Sequence, residues 1–428
     1  MTHARNGLLG IAILIGACHS PFRGAAYTPS DYPTNITEAE SRGDTLVQLT
    51  PEALRIHHSA ILVDGHNDLP GEIRTKGESS FDKIDIAKPQ PELQTDIPRL
   101  QRGGVGAQFW SAYVPVSTIT EGGATRYALE QIDLIHRMVA RYPDVFEMAY
   151  SADDIERIHR KGKIASLIGV EGGHAIENSL GTLRMFYTLG VRYMTLTHTK
   201  SLDWVDSCNG DPISGGLSPF GEDVIREMNR LGMLVDISHV SADAMRHVLR
   251  VTKAPVIASH SSAYAVAQHV RNIPDDVLAM MRDNDGVIMV NFYSGFVDPV
   301  AALQMPERFK KGEEMMAEYA DKAEGRKAVD AYFRERPLPR GTIQTVVDHI
   351  DHLVKVAGVD HVGIGSDFDG VDRLPLQLDD VSCFPYITQE LLNRGYSERD
   401  IRKILGENLI RAFRKAEAVA KEWRREDR

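Results

Sequence analysis

The chain has only three cysteines in 428 residues, and one of them, Cys18, lies in the first twenty. The remaining two, Cys208 and Cys383, are too few for a disulfide scaffold; an oxidising compartment would permit them to pair, and the sequence leaves that open. Clusters of Lys and Arg are missing outside the WRRE tail at Trp423, which reads as a solvated helix end, and the formal net charge is −11. That balance excludes a phosphate-backbone partner, because nucleic-acid binders present a basic face. No fixed-period repeat is present, and no glycine-rich loop follows a strand at the spacing a dinucleotide fold requires.

The N-terminal apolar run, Leu8 to Ala17, is too short to span a membrane as a mature helix but suits a signal h-region, with one Arg ahead of it. Gly16 and Ala17 before Cys18, with Ile15 preceding them, resemble a bacterial lipoprotein signal in which Cys18 becomes the lipidated first residue. The expectation is a signal peptide over 1–17 and an exported protein held by lipid in the periplasm or at the cell surface. An ordinary signal peptide or an uncleaved anchor is the alternative. Residues 18–50 are rich in Pro, Ser, Thr and Gly and read as a tether, so the folded domain is placed at 51–428.

With 43% hydrophobic residues the domain can bury a large core. Eight apolar or β-rich runs stand out: AILVDG, GVGAQFWSAYV, IASLIGV, VRYMTLT, MLVDIS, APVIAS, GVIMVNF and HVGIGS. Amphipathic stretches of 3.6 period separate them. In SPFGEDVIREMNRLG, Ser218 can cap, Pro219 suits the first turn, Phe220, Val224, Ile225, Met228 and Leu231 share a face, and Gly232 stops the helix. Eight strands alternating with helices predict an α/β fold, a (β/α)8 TIM-like barrel, with an open doubly wound sheet as the alternative.

Acidic and histidine side chains follow most of these runs. His66 and Asp68 follow the first, in LVDGHNDLP; Glu171 follows the third, His198 the fourth, His239 the fifth, His260 the sixth, and Asp367 with Asp369 the eighth. In a barrel these positions share one rim, where such enzymes carry their active sites. Histidines with carboxylates and no thiolate suit Zn²⁺ or a similar ion in a catalytic role. More candidates than the three protein ligands of a single catalytic zinc favour two ions, with Glu171, flanked by glycines in GVEGGHAI, as the bridge. Hydrolysis is the reaction such a pair favours.

The blocks VDGHNDLP, GVEGGHA, YMTLTHT, GLSPFGEDVIREMNRLG, DISHVS, APVIASHSSA, RNIPDDVL, VNFY and GSDFDGV, in this order over residues 55–415, resemble the membrane (renal) dipeptidase family of dizinc peptidases. The resemblance implies a homodimeric (β/α)8 barrel that cleaves free dipeptides, in some members β-lactams too, through a hydroxide between two zinc ions per subunit. It implies His66 and Asp68 on one zinc, His239 and His260 on the other, and Glu171 on both. It further implies His198 as substrate contact and oxyanion donor, Asp367 as the proton carrier, and Arg271 in HVRNIP as the clamp on the substrate carboxylate. A fixed cation at one end and metals at the other leave room for one peptide bond.

Departures and rivals remain. The family often has a cysteine two residues after the TLTH block, where this chain has Lys200, so that disulfide is absent. The charged stretch 298–341 reads as an inserted helical pair after the seventh run, either a solvated excursion or a lid. His349 and His352 read as surface or core-edge residues, and His361 as structural at the opposite rim. An amidohydrolase-type enzyme acting on a lactam, lactone or cyclic amide would show His-x-His where Asp68 stands. A non-catalytic binding lipoprotein would have lost a ligand.

Overall fold

A computed structural model describes residues 27–32 and 45–426. The positions read as a signal peptide, 1–17, and Cys18 after them lie outside the described residues. Among the described residues nine strands form one sheet: β1 (Leu62–Asn67), β2 (Val105–Tyr113), β3 (Phe146–Met148), β4 (Ile164–Glu171), β5 (Val191–Thr195), β6 (Leu234–Asp236), β7 (Val256–Ala258), β8 (Val287–Val290) and β9 (Val362–Ile364). Every pairing is parallel, and β2 pairs with β4 over seven residue pairs from Ala107–Ala165 to Tyr113–Glu171, which closes eight strands into a barrel. The open doubly wound alternative is thereby excluded. β3 is the strand the sequence did not show: three residues long, it pairs only with β4, outside the closed ring.

The helices begin and end where local chemistry directs. Ser218 accepts a hydrogen bond from the Gly221 amide, Pro219 fills the first turn, and Gly232 at φ 84° ends the Pro219–Leu231 helix. Ser241 caps the Ala242–Val251 helix in the same way through the Ala244 amide. Their apolar faces, including Val224, Ile225, Met228, Ala244, Met245 and Val248, are buried in the layer between sheet and helices. A second cluster fills the barrel, with Val63, Phe109, Leu167, Tyr193, Leu234, Ile257 and Met289, and runs into Leu409, Ile410 and Phe413 of the Asn408–Glu426 helix.

That last helix closes the N-terminal end of the barrel. Asn408 Nδ2 donates to the carbonyls of Val359 and Val362, and Arg411 to those of Asp285 and Asp360, all at the entries to β8 and β9. Gly406 lets the chain press against β1, since a Cβ there would lie 2.2 Å from the Ile61 carbonyl oxygen. Only the opposite end is left open for a site.

Two stretches of the segment read as a tether are packed on the domain. Tyr32 is buried and its hydroxyl reaches His58 Nε2 (2.9 Å) and the Arg102 carbonyl (3.1 Å). Val47 exchanges backbone hydrogen bonds with the Gln377 side chain. Cys208 and Cys383 are both free thiols, so the pair the sequence left open is not a disulfide.

The inserted stretch between β8 and β9 carries two helices, Pro299–Ala317 and Lys322–Arg334, ahead of the Ile343–Ala357 helix that leads into β9. The first is seated by Ala301 and Met305, which with Leu338 form a small cluster against Tyr293 and Phe296. Because this cluster is separate from the barrel core, Met305→Ala should remove about 2–5 kcal/mol of local packing. Hydrogen exchange should then quicken across 299–334 while the melting temperature of the barrel stays within a degree or two; equal loss of protection in the strands would contradict this separation.

Candidate metal centre and active site

The C-terminal ends of the strands bring the predicted side chains to one place. His66 is the penultimate residue of β1, Glu171 ends β4, and His198, His239, His260 and Asp367 follow β5, β6, β7 and β9. Glu171 is central, and its two oxygens face different partners. Oε2 lies 3.5 Å from His66 Nε2, while Oε1 lies 3.1 Å from His239 Nε2, 3.4 Å from His260 Nε2 and 3.9 Å from His198 Nε2. Asp68 Oδ2 approaches His66 Nε2 at 3.1 Å. Three groups able to hold a metal overlap here: His66, Glu171 and His260; Glu171, His198 and His239; His66, Asp68 and Asp367.

The electrostatics of this set ask for positive charge. Burial alone would push the Glu171 carboxyl up, but the charge of His66 and the contacts to His239, His260 and His66 outweigh it and hold the group well below the usual range. Burial would depress His66, yet Tyr193, Asp68 and Glu171 hold its imidazole well above the ordinary value. His239 and His260 go the other way, driven well below by burial first and then chiefly by neighbouring Arg271 and His198 for the former and His66 for the latter. Their Nε2 atoms face each other at 2.9 Å. Converging lone pairs of this kind fit a divalent ion with nitrogen and oxygen ligands.

The Asp367 carboxyl is pushed up to about 7 by burial, with Asp68 and Glu171 adding to this against the charge of His66. Its Oδ2 accepts from Asn291 Nδ2 at 2.8 Å. Arg271 is buried under the Phe296 ring (5.3 Å), with Nη1 on Ser261 Oγ at 3.3 Å and Nη2 on the His260 carbonyl at 3.2 Å. Among the described residues its Nε has no hydrogen-bond partner, which leaves donor capacity in a buried guanidinium. The His198 ring packs on His239 (4.4 Å) and on Tyr113 (5.0 Å).

Other candidates resolve differently. Asp369 turns away and ties down a loop: its Oδ1 accepts from the Gln94 amide at 2.7 Å. His349 is fully buried rather than at a core edge, because its ring bridges the Ala263 amide and the Val297 carbonyl, both at 3.0 Å. His352 pairs with Asp275, and His361 meets the Gly286 carbonyl at the far end of the barrel. The helix pair flanks the mouth. Met305 Sδ lies 3.8 Å from the Tyr293 hydroxyl, and on the other side burial, Glu171 and Asp68 raise the Tyr113 phenol while Arg326 of the second helix acts against them.

Several residues that matter were not visible in the sequence. Tyr193 reads there as strand core, but its hydroxyl is 2.8 Å from His66 Nδ1. Asp64 and Asp236 read as strand ends, yet each is buried in a hydrogen-bond network beneath the rim. Asn291 sits inside the VNFY block, and a carboxamide directly after a strand carries no signal of its own.

Among solved structures, the chain is similar to the probable dipeptidase PvdM from Pseudomonas aeruginosa, with 26% identity and a TM-score of 0.73 over 86% of this chain and 98% of that one. A metallo peptidase from Rhodobacter sphaeroides, liganded with a phosphinate mimic of L-Ala-D-Ala, gives 24% identity and 0.68 over 83% and 99%. An amidohydrolase from Pseudomonas aeruginosa gives 23% identity and 0.65 over 85% and 98%. These last two, at such identity, speak to the fold alone. The family profile of membrane dipeptidase, peptidase family M19, matches residues 50–427, which takes in every rim side chain described above. A chain matched over that length, with histidines and carboxylates gathered at the open end of its barrel, belongs to the membrane dipeptidase family of metallopeptidases.

Proposed function

We propose that this metallo-dipeptidase works with two zinc ions, one held by His66 and Asp68, the other by His239 and His260, and both by Glu171. The observation that carries this reading is the division of labour in Glu171, whose Oε2 faces His66 while Oε1 faces His239 and His260. The zinc pair, when bound, would polarise the scissile carbonyl and lower the pKa of the attacking water.

The chain's own residues do the rest. Arg271 holds the free carboxylate of the dipeptide through its planar fork, and so fixes where the chain must end. Asp367, whose carboxyl burial pushes up to about 7, takes the proton of the attacking water when ionised and returns it to the leaving amine. His198 donates from Nε2 to the developing oxyanion. With a clamp at one end and the metal-binding carboxylates at the other, a third residue has no place.

The two rivals fare worse. Asp68 stands where an amidohydrolase-type entry motif has its second histidine, and the family match is to the dipeptidases. A binding lipoprotein would have no need of a complete ligand set. Export with lipid on Cys18 remains part of the reading, supported by the sequence around that residue; among the described residues no helix is long and apolar enough to cross a membrane.

Four measurements test these assignments. The full chain should cleave L-L and L-D dipeptides, L-Ala-D-Ala among them, but not a tripeptide, and a chelator should abolish cleavage until Zn²⁺ is restored; metal binding without peptide cleavage would shift the reading to cyclic-amide hydrolysis. Glu171→Gln should lose metal and activity together. Arg271→Ala should keep its metal and raise KM at least about tenfold, since a hydrogen bond to a charged group is worth about 1.5–3 kcal/mol. Finally, Cys18→Ser should release into the aqueous fraction a protein that otherwise partitions with membranes; partition unchanged by the substitution would remove the lipid anchor from the reading.

A further inference from the structure

Two hydroxyls behind the centre fix which nitrogen of two histidines faces it. Tyr193, on β5, is fully buried, and its oxygen lies 2.8 Å from His66 Nδ1 and 3.2 Å from the Gly65 carbonyl. A carbonyl only accepts, so the single phenol proton goes to Gly65 and the phenol oxygen accepts from Nδ1–H. In the neutral, ligand form of His66 the lone pair is then on Nε2, 3.1 Å from Asp68 and 3.5 Å from Glu171. The reverse tautomer would set an Nδ1 lone pair against the phenol's own.

The other half of the centre uses a different device for the same end. Ser259 Oγ lies 2.6 Å from Asp236 Oδ2 and 2.7 Å from His260 Nδ1. Asp236 also receives the Thr195 hydroxyl (2.5 Å) and the amides of Ser238 (3.0 Å) and Ser259 (2.8 Å), so both its oxygens act as acceptors. The serine proton therefore goes to Asp236, and His260 donates Nδ1–H to the serine, leaving Nε2 free 3.4 Å from Glu171. Gly169 belongs to the first device: it is in register with Tyr193 on the neighbouring strand, and a Cβ there would lie 2.0 Å from Tyr193 Cζ.

We propose that Tyr193 and Ser259 are positioning residues, each setting the tautomer of one histidine and thereby supporting one half of the metal centre separately. The inference rests on the two-ion reading above. Groups that orient ligand histidines in this way are worth about 10–100-fold in metal affinity. Tyr193→Phe keeps the ring and removes only the oxygen; Ser259→Ala removes the relay, and Ser259→Thr restores a hydroxyl.

The test is metal stoichiometry and affinity of the full chain, measured by Zn²⁺ competition with a chelating dye and by the visible spectrum after Co²⁺ loading. In Tyr193→Phe one of two ions should weaken about 10–100-fold while the other is unchanged, and Ser259→Ala should weaken the other one, with Ser259→Thr restoring it. On a His66→Ala background Tyr193→Phe should cost nothing more, because its effect passes through that imidazole. Two ions bound with wild-type affinity in both variants would overturn the inference, and so would an effect of Tyr193→Phe that persists without His66. A wild-type chain holding one ion would overturn the two-ion reading instead; weakening of that ion by one variant alone would then support the inference for that histidine, and no weakening by either would overturn it.

Discussion

Two buried aspartates tie together the strand ends of this barrel's rim, and the residues that carry Asp367 and His260 hang on them. Asp64 on β1 accepts from the amide and hydroxyl of Ser366, each at 2.7 Å, and from Gln108 of β2 at 2.9 Å. Asp236 on β6 does the same for Thr195 of β5 and Ser259 beyond β7. Each captured serine is followed at once by a functional residue, Asp367 in one case and His260 in the other. A buried carboxylate with a missing donor is costly, so neither network tolerates a strand that slips by one position. Glu171 can divide its oxygens between two sets of histidines because the strands on both sides are pinned.

Backbone strain collects at the same rim. His239, Asp367 and Asp369 have φ of 68°, 67° and 64°, in the left-handed region that non-glycine residues rarely adopt. Such conformations cost about 1–3 kcal/mol each and persist where surrounding structure over-determines them. For His239 the turn comes three residues after the short strand β6 and leaves its Nε2 3.1 Å from Glu171 Oε1. Hydrogen bonds from the neighbours offset part of this: Cys208 donates its amide to the His239 carbonyl, and the Asp367 amide is held by the His66 carbonyl.

The rim was legible in the sequence because its logic is local: an apolar run, then a ligand type, repeated strand after strand. What supports the rim is not local. Tyr193 and His66 are 127 residues apart, and Asp64 and Ser366 are 302 apart, so no spacing rule could pair them. β3 escaped for a different reason: FEM alternates over only three residues, too few to count as a strand signal, and its pairing with β4 alone comes from tertiary context. The fate of His349 was equally hidden, since a histidine between an amide and a carbonyl of distant loops looks in sequence like any histidine on an amphipathic helix.

The helix pair between β8 and β9 leaves the barrel and returns to it at nearly one point. A Cβ on Gly341 would lie 3.7 Å from that of Asp298, and the Gly341 amide bonds Ser294 Oγ at 3.2 Å. A module whose two ends already meet can be shortened, lengthened or exchanged without moving a strand or a ligand. The chemistry of the floor and the shape of the entrance are therefore separable traits, and evolution could retune which small peptides gain entry while leaving the hydrolytic apparatus untouched.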